Sequence, residues 1–250
     1  MDRLTLGTRK VSIEFPGVKA LTNVDFEVST GEIHALVGAN GAGKSTLMKV
    51  LAGANPDYTG EVYLNGKPVE LRSTMAAKKL GIQIVYQEVD MALVPTLSVA
   101  ENVMLNDMVM SAGSNPLVNW PKLRTQAKAV LDRLNINVNV RTLVQDLSLA
   151  QKQMVLIARA IANECNFLIL DEPTKGVDVG AKQDIFRLIN DITKRGSSVI
   201  YASCENSELL SITDRIYVLY DGHIMAELET AKTNEDEIMH YAVGSTTKYA

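Results

Sequence analysis

The stretch "IHALVGANGAGKSTLMKVLAG", residues 33 to 53, decides the fold. Its first part is a short apolar run that predicts a buried β-strand, and its glycine-rich centre predicts a turn. From Ser45 onward the apolar residues have helical spacing, and Gly53 is placed to end the helix. The sequence therefore predicts the order strand, loop and helix.

The loop of this stretch fits the phosphate-binding pattern G-x-x-x-x-G-K-[ST] at every specified position. The glycines allow backbone N–H groups to converge on phosphate oxygens, Lys44 reaches the outer phosphates, and Ser45 can ligate magnesium. The alternative is a turn that binds nothing, which the position between strand and helix disfavours. A dinucleotide fold is also disfavoured, because the glycines are spaced G-x-x-G-x-G. The predicted nucleotide-binding residues of the loop are Gly38, Ala39, Asn40, Gly41, Ala42, Gly43, Lys44, Ser45 and Thr46.

A second apolar run, "NFLILDEP" from Asn166 to Pro173, predicts a strand that ends in two acids. Asp171 is suited to hold magnesium through water. Glu172 could orient and polarise an attacking water, as a hydrolase requires. The alternative is a strand that ends in two solvated acids, and the presence of Lys44 in the same chain disfavours it. Cleavage of a nucleotide is therefore predicted as well as binding.

The strand and helix signals in the rest of the sequence indicate how the chain is organised. "SSVIYAS" reads as a further buried strand, and "DRIYVLYDGHIMAEL" reads as a hairpin that turns at Asp221-Gly222. Strands that alternate with helices predict a largely parallel sheet covered by helices. Between about Glu88 and Leu156, "LSVAENVMLNDMVM" and "WPKLRTQAKAVLDRLNI" have helical periodicity and are separated by the loop-like "SAGSNPLVN". This segment predicts a helical lobe inserted into the sheet domain.

Composition excludes several classes of function. The 250 residues carry 25 Lys and Arg against 29 Asp and Glu, a net charge of −4, without a basic block, so no nucleic-acid partner is expected. Cys165 and Cys204 lie far apart without metal-ligand spacing, which disfavours a disulfide framework or a zinc site and fits a reducing cytoplasm. "MDRLTLGTRK" has no readable secretory signal. The apolar runs are shorter than the roughly 20 residues of a membrane span, so any function at a membrane is expected to require a partner protein.

Six segments occur in an order and spacing typical of one family: "FPGVKAL", "VGANGAGKSTLMKVLAG", "VYQE", "LVPTLSVAENV", "LSLAQKQMVLIARAI" and "LILDEPTKGVDVGAK". Over nearly its whole length the chain resembles the nucleotide-binding subunit of ATP-binding cassette (ABC) transporters, and most of all sugar importers of the ribose or pentose type. The resemblance implies an α/β P-loop NTPase fold of the ATP-binding cassette type. It further implies a mainly parallel sheet core, an N-terminal antiparallel β portion and an inserted α-helical subdomain. The implied domains are an ATP-binding core at 1–88 and 157–240, a helical subdomain with the signature motif at 89–156, and a tail at 241–250.

The resemblance also assigns roles to single residues. Phe15 would stack on adenine, and Gln87 would join the magnesium site to the helical lobe and belong to the catalytic set with Lys44 and Glu172. The magnesium ligands would be Ser45, Gln87 and Asp171. The alternatives are that Phe15 belongs to the core and that Gln87 is a solvated strand-end amide.

Two further segments would act between subunits. Asp178 would lie in a loop that crosses to a second subunit, and "LSLAQ" would be the signature that caps the nucleotide of that subunit. Ser148 and Gln151 also form S-x-x-Q, a capping box that any helix can use, and both readings can hold together. The signature residues are Ser148, Leu149, Ala150 and Gln151.

The chain departs from the family pattern in three places. Leu149 and Ala150 stand where most cassettes have two glycines, so weaker closure is expected. Cys204 stands where the family usually has a switch histidine, and slower chemistry is expected because a thiol offers a phosphate no comparable hydrogen bond or positive charge. The alternative is that Cys204 is a small buried residue that ends a strand. The third departure is a single phosphate loop, since such importers usually fuse two cassettes in one chain. From "DEPTKGVD" onward the sequence resembles the second cassette of such a fused chain. A natural single cassette, a lineage hybrid and an excised domain are therefore all open.

Together these features predict an ATPase that uses ATP and Mg²⁺ to drive integral-membrane permease subunits, for import of a sugar or a nucleoside. Its expected partners are a second cassette, as a homodimer or heterodimer, and indirectly a solute-binding protein. The expected location is cytoplasmic, peripheral on the inner face of the membrane. The alternative is a degenerate subunit that binds ATP to regulate or complete a heterodimer with little hydrolysis. A soluble cassette that acts on nucleic acid or ribosomes is disfavoured, because no basic surface or long coiled insertion is visible.

Overall fold

The structure is a computed structural model that describes residues 3–112, 118–247 and 249. Contacts within the chain divide it into two compact units. The first, called the sheet unit here, comprises Met1–Ile84, Cys165–Glu172 and Ile192–Ala250. The second, called the helical unit, comprises Val85–Glu164 and Pro173–Asp191.

The strands alternate with helices along the chain, as predicted. The strands are β1 (Thr5–Phe15), β2 (Val18–Ser29), β3 (Ile33–Val37), β4 (Thr59–Leu64), β5 (Lys67–Val69), β6 (Ile82–Val85), β7 (Phe167–Asp171), β8 (Ser198–Ala202), β9 (Arg215–Tyr220) and β10 (His223–Glu229). The helices are α1 (Lys44–Leu51), α2 (Thr74–Lys79), α3 (Val89–Ala92), α4 (Val99–Val103), α5 (Leu105–Ala112), α6 (Trp120–Arg133), α7 (Leu149–Ile161), α8 (Val179–Lys194), α9 (Asn206–Ile212) and α10 (Glu235–Ala242).

The main sheet has the strand order β10-β9-β3-β8-β7-β6. Strands β3, β7 and β8 are apolar runs buried along almost their whole length, as expected for parallel strands covered on both faces. β3 pairs in parallel with β8 and β9, and β7 pairs in parallel with β8. The carboxyl ends of β3, β8 and β7 therefore meet at one edge of the sheet. β9 and β10 form the predicted antiparallel hairpin, with its turn at Asp221 and Gly222.

A second, antiparallel sheet has the order β2-β1-β4-β5, which confirms the N-terminal antiparallel portion. β1 and β2 form a hairpin in which Phe15 pairs with Val18 across a turn at Pro16 and Gly17. The two sheets and α1 share one apolar core. Its fully buried members include Leu6, Val11, Val28, Leu36, Leu47, Met48, Leu51, Phe167, Ile169 and Leu219.

The helical unit contains the helices predicted between Glu88 and Leu156. The segment "LSVAENVMLNDMVM" forms two helices, α4 and α5, which are separated at Met104. α4 begins with a capping box between Ser98 and Glu101. In α6 the side chain of Asn119 caps the first turn, where Pro121 is tolerated because its missing N–H has no helical partner there. Of the predicted loop "SAGSNPLVN", Ser111 and Ala112 belong to α5, and 113–117 lie outside the described residues.

None of the helices in the described part of the chain combines the length and the apolar character needed to cross a membrane.

His34 on β3 is the buried titratable group with the clearest consequence for stability. The residue is 1% exposed, and Nε2 accepts a hydrogen bond from the Ser29 N–H at 3.2 Å, so in the neutral ring the proton resides on Nδ1. Among the described residues Nδ1 has no hydrogen-bond partner. Burial lowers the pKa of His34 to about 4, against the opposing effect of the Glu32 carboxylate. The folded state therefore holds His34 neutral at pH values where an unfolded histidine is charged.

We expect the free energy of unfolding to fall as the pH drops from 6.5 to 4. In that window the unfolded chain binds a proton at His34 and the folded chain does not. At pH 5 the loss relative to neutral pH is about 2 kcal/mol. Urea unfolding at pH 7.5 and pH 5 measures it. His34→Gln is expected to lose this part of the pH dependence, whereas the exposed His223→Gln control keeps it. Equal pH dependence in all three proteins would show that His34 does not titrate in this way.

Candidate nucleotide-binding and active site

The predicted phosphate loop connects β3 to α1 in the sheet unit. Gly38 has φ 154°, and a Cβ there would lie 2.3 Å from the Leu219 carbonyl oxygen. Gly43 has φ 108°, and a Cβ there would lie 2.6 Å from the Ala20 carbonyl oxygen. Only glycine fits at these two positions without movement of neighbouring backbone. Close packing against β9 and β2 therefore fixes the path of the loop.

Helix α1 begins directly after Gly43, which as N-cap residue has no side chain with which to bond the first-turn N–H groups. Such N–H groups, together with the helix dipole, favour an anion in front of the helix. Ser45 is exposed and Thr46 is half-buried in this first turn. The local geometry thus has the donors that a phosphate group requires.

Lys44 folds back over its own loop. Its side chain is 7% exposed, and its ammonium group donates hydrogen bonds to the carbonyl oxygens of Gly38 at 2.6 Å and Ala39 at 3.2 Å. The charge is therefore held beside the N-terminus of α1, where a phosphate would bind.

Asp171 ends β7 beside the start of α1. The side chain of Ser45 lies near its carboxylate. Burial raises the pKa of Asp171 above its usual value, and Glu172 adds to this effect, whereas Ser45, Lys44 and Lys49 oppose it. A hydroxyl and a carboxylate near one another are hard oxygen ligands of the kind that Mg²⁺ prefers. No group of three or more His, Cys, Asp or Glu side chains in the described ranges could hold a metal ion by itself.

Glu172 follows Asp171 and has an unusual backbone conformation, with φ 48°. This left-handed region costs a residue with a Cβ some free energy, so its neighbours must hold it in place. The Glu172 N–H donates to the Ala202 carbonyl oxygen at 2.9 Å. The Cys204 thiol donates to Glu172 Oε1, with 2.9 Å between Sγ and the oxygen. Strand β8 and the residues after it therefore fix both the backbone and the side chain of Glu172.

Phe15 lies at the end of β1 with 42% of its surface exposed. It is not part of the apolar core, which disfavours the alternative that it serves only packing. The hairpin that carries it continues into Ala20 and Leu21, and both of these approach Gly43. An exposed aromatic ring in the same unit as the phosphate loop is compatible with stacking on a base.

The other predicted site residues lie in the helical unit. Gln87 is exposed just after β6. The capping box is confirmed: Ser148 and Gln151 exchange hydrogen bonds at 3.0 and 3.3 Å at the start of α7. Asp178 caps the start of α8 by accepting a hydrogen bond from the Ala181 N–H at 2.9 Å. Leu149 is exposed and Ala150 is buried. The intersubunit roles of these residues stay predictions.

Sequence reasoning missed the contact between Cys204 and Glu172. It interpreted Cys204 as a residue that replaces a histidine facing phosphate, or as a small buried strand end. Cys204 is instead exposed. A signal was available, because both residues directly follow apolar runs that predict parallel strands, and such strands become neighbours in a sheet.

A comparison of the sequence with models of protein families identifies the family to which the chain belongs. Residues 21–175 match the family described as ABC transporter. The chain belongs to the ABC transporter family. The match includes the phosphate loop, Gln87, the signature residues, Asp171 and Glu172.

Curated relatives in this family carry names of sugar importers. The chain is 38% identical over 246 residues to the xylose import ATP-binding protein XylG of Moorella thermoacetica, covering 98% of this chain and 48% of that relative. It is 40% identical over 242 residues to the ribose import ATP-binding protein RbsA 1 of Rubrobacter xylanophilus, covering 97% and 47%. It is 38% identical over 248 residues to the L-arabinose transport ATP-binding protein AraG of Geobacillus stearothermophilus, covering 98% and 47%. The chain thus spans about half the length of the curated relatives it matches.

Solved structures confirm the predicted fold class. A nucleotide-free ATP-binding cassette from an ABC transporter is 23% identical, with a TM-score of 0.82 over 97% of this chain and 96% of that one. The ADP conformation of another ATP-binding cassette is 25% identical, with a TM-score of 0.80 over 96% and 95%. The protein cbiO1 of Clostridium perfringens, described as part of the ABC transporter complex cbiONQ, is 26% identical with a TM-score of 0.78 over 95% and 92%.

Proposed function

We propose that this chain binds and hydrolyses Mg-ATP and that this reaction powers a membrane permease that imports a sugar. One observation carries the proposal: Lys44, Ser45, Asp171 and Glu172 converge at one edge of the main sheet, within a single compact unit. A cation for phosphate, two oxygen ligands for a metal and a carboxylate for water are the groups that nucleotide hydrolysis requires.

The phosphates would be held by the loop of residues 38–46. Its backbone N–H groups and the N-terminus of α1 would face the phosphates, and the Lys44 ammonium would exchange its two carbonyl partners for the outer phosphates. Phe15 would stack on the adenine ring, which its exposure supports.

The residues around Asp171 fit a magnesium ion. Ser45 and Asp171 would supply neighbouring oxygen ligands. Gln87, the third predicted ligand, belongs to the helical unit, and its role stays a prediction. When bound, the ion would neutralise negative charge on the phosphate oxygens. Its positive charge would also favour the ionised form of Asp171, which burial disfavours.

Glu172 would accept a proton from the attacking water. Its carboxylate is anchored by Cys204, and its N–H is anchored by Ala202, so the base is oriented before substrate arrives. A positioned base lowers the barrier because the orientation is already established in the resting protein.

A second cassette would complete the site. In this arrangement Ser148, Leu149, Ala150 and Gln151 cap the nucleotide of the partner cassette, and the N-terminus of α7 supports an anion-binding role for them. The loop of Asp178 would cross to the partner. The double length of the curated relatives supports an assembly of two cassettes.

Residues 89–156 would form the inserted helical subdomain that docks on the permease, flanked by the ATP-binding core at 1–88 and 157–240. The helical unit includes all of 89–156, which supports an inserted subdomain, but it also takes in 157–164 and Pro173–Asp191, which this division gives to the core. The permease would hold the chain on the inner face of the membrane, and a solute-binding protein would deliver the sugar to it. The named substrates of the relatives, which are xylose, ribose and arabinose, support a pentose.

The experiment that tests the proposal is steady-state Mg-ATP hydrolysis by the purified chain over a range of protein concentrations. We expect a specific activity that rises with concentration, because two cassettes must meet to complete a site. The Lys44→Ala protein provides the blank. Activity at the blank level throughout, with ATP still bound, would favour the alternative of a degenerate subunit in a heterodimer. Cys204 and the altered signature are the features that favour this alternative.

A further inference from the structure

We infer that Cys204 is a positioning residue for hydrolysis, one that orients the carboxylate of Glu172 through a thiol hydrogen bond. The inference rests on the proposed function, since Glu172 is the base in that reaction. It gives Cys204 a role toward the carboxylate rather than toward a phosphate. The observation that supports the inference is the contact of 2.9 Å between Cys204 Sγ and Glu172 Oε1.

The side chain of Glu172 needs such a restraint. The last torsion of a glutamate has a broad energy minimum, so its own rotamer preferences leave the plane of the carboxylate loosely defined. A hydrogen bond to one carboxylate oxygen restricts that rotation. The N–H of the same residue is bonded to Ala202, two residues before the cysteine. One short segment after β8 therefore fixes the base at two points.

The position of Cys204 is itself supported from the interior. Ser203 donates from Oγ to Glu208 Oε2 at 3.1 Å, and Tyr201 donates from its hydroxyl to the same oxygen at 3.0 Å. Tyr201, Ser203 and Glu208 are all buried. The Glu205 N–H donates to Ser203 Oγ at 3.1 Å. The residues on both sides of the thiol are thus tied to a buried carboxylate of α9.

The chemistry of the pair suits positioning. A thiol is a weak donor with one proton, so it orients the carboxylate without removing much of its basicity. Its loss should lower the rate by about threefold to tenfold, the range of a single modest hydrogen bond. Nucleotide affinity should not change, because Cys204 bonds the base and not the phosphate loop.

The test compares the full chain with Cys204→Ala, Cys204→Ser and the control Cys165→Ala. We expect Cys204→Ala to lower kcat by about threefold to tenfold at unchanged KM, and Cys204→Ser to restore most of the rate because a hydroxyl can donate in the same place. Cys165→Ala should match the parent chain. In a Glu172→Gln background, Cys204→Ala should have no further effect, since coupled residues are not additive. Equal rates in all variants, or additive losses, would overturn the inference.

A second measurement does not depend on turnover. Alkylation by iodoacetamide, followed by mass spectrometry, reports the reactivity of each cysteine. Burial raises the pKa of Cys165 to about 12, so the exposed Cys204 should react first. Glu172→Gln should accelerate alkylation of Cys204 by about threefold or more, because the neighbouring negative charge is removed. An unchanged alkylation rate would refute the contact, whereas hydrolysis at the Lys44→Ala level with an accelerated alkylation rate would refute only the proposed function.

Discussion

Replacement of Glu172 by glutamine lowers the turnover number for Mg-ATP by about 10²- to 10⁴-fold, the range of a lost general base. Glutamine has nearly the same shape, and its Oε1 can still accept the hydrogen bond that the Cys204 thiol donates to glutamate. The geometry of the site is thus preserved while the basic group is removed. Single-turnover hydrolysis and a separate ATP titration measure the two effects, and the titration should show affinity close to that of the parent chain.

The control for this substitution is Glu164→Gln, a change of the same chemistry at an exposed position. It should leave turnover unchanged. A Glu172→Gln protein that hydrolyses ATP within a factor of two of the parent chain would assign the base to another group. A parallel loss of ATP affinity would instead indicate that the carboxylate takes part in binding.

Replacement of Lys44 by alanine lowers hydrolysis by about 10²-fold or more, because the developing phosphate charge loses its positioned cation. ATP affinity should weaken as well, by about tenfold, since the charge-assisted hydrogen bonds are lost in the ground state too. The fold should survive, because the apolar residues of α1, including Leu47, Met48 and Leu51, stay buried in the core.

Lys78→Ala is the matched control, since it removes an exposed lysine from α2 without contact to the loop. Fluorescent nucleotide titration, hydrolysis and thermal unfolding should all match the parent chain for this variant. Hydrolysis by Lys44→Ala at the rate of Lys78→Ala would contradict the assignment of the loop as the catalytic phosphate site.

Much of the fold follows from short-range pattern. The strand, loop and helix around residues 33–53, the strands that end at Asp171 and Ala202, the hairpin at Asp221-Gly222 and α6 are all where their periodicity predicts them. The helix pair α4 and α5 is the exception, because periodicity alone does not show the interruption at Met104. The spacing of apolar residues and the identity of turn residues depend on positions that are close together in sequence. Such elements can therefore be predicted from short segments.

The candidate site was only partly predictable for the same reason. The loop residues, Asp171 and Glu172 belong to contiguous motifs, so the sequence indicates both the residues and their chemistry. The bond between Cys204 and Glu172 joins residues 32 positions apart, and the buried support from Glu208 depends on how α9 packs.

By itself the sequence determined the phosphate loop, the acids after a buried strand and the family pattern, because each consists of short runs of consecutive residues or of their order along the chain. Only the tertiary structure decided what Cys204 contacts and how Glu172 is held. The physical reason is the parallel pairing of β7 with β8, which aligns Asp171 with Ala202 and brings the residues after both strands within hydrogen-bond distance.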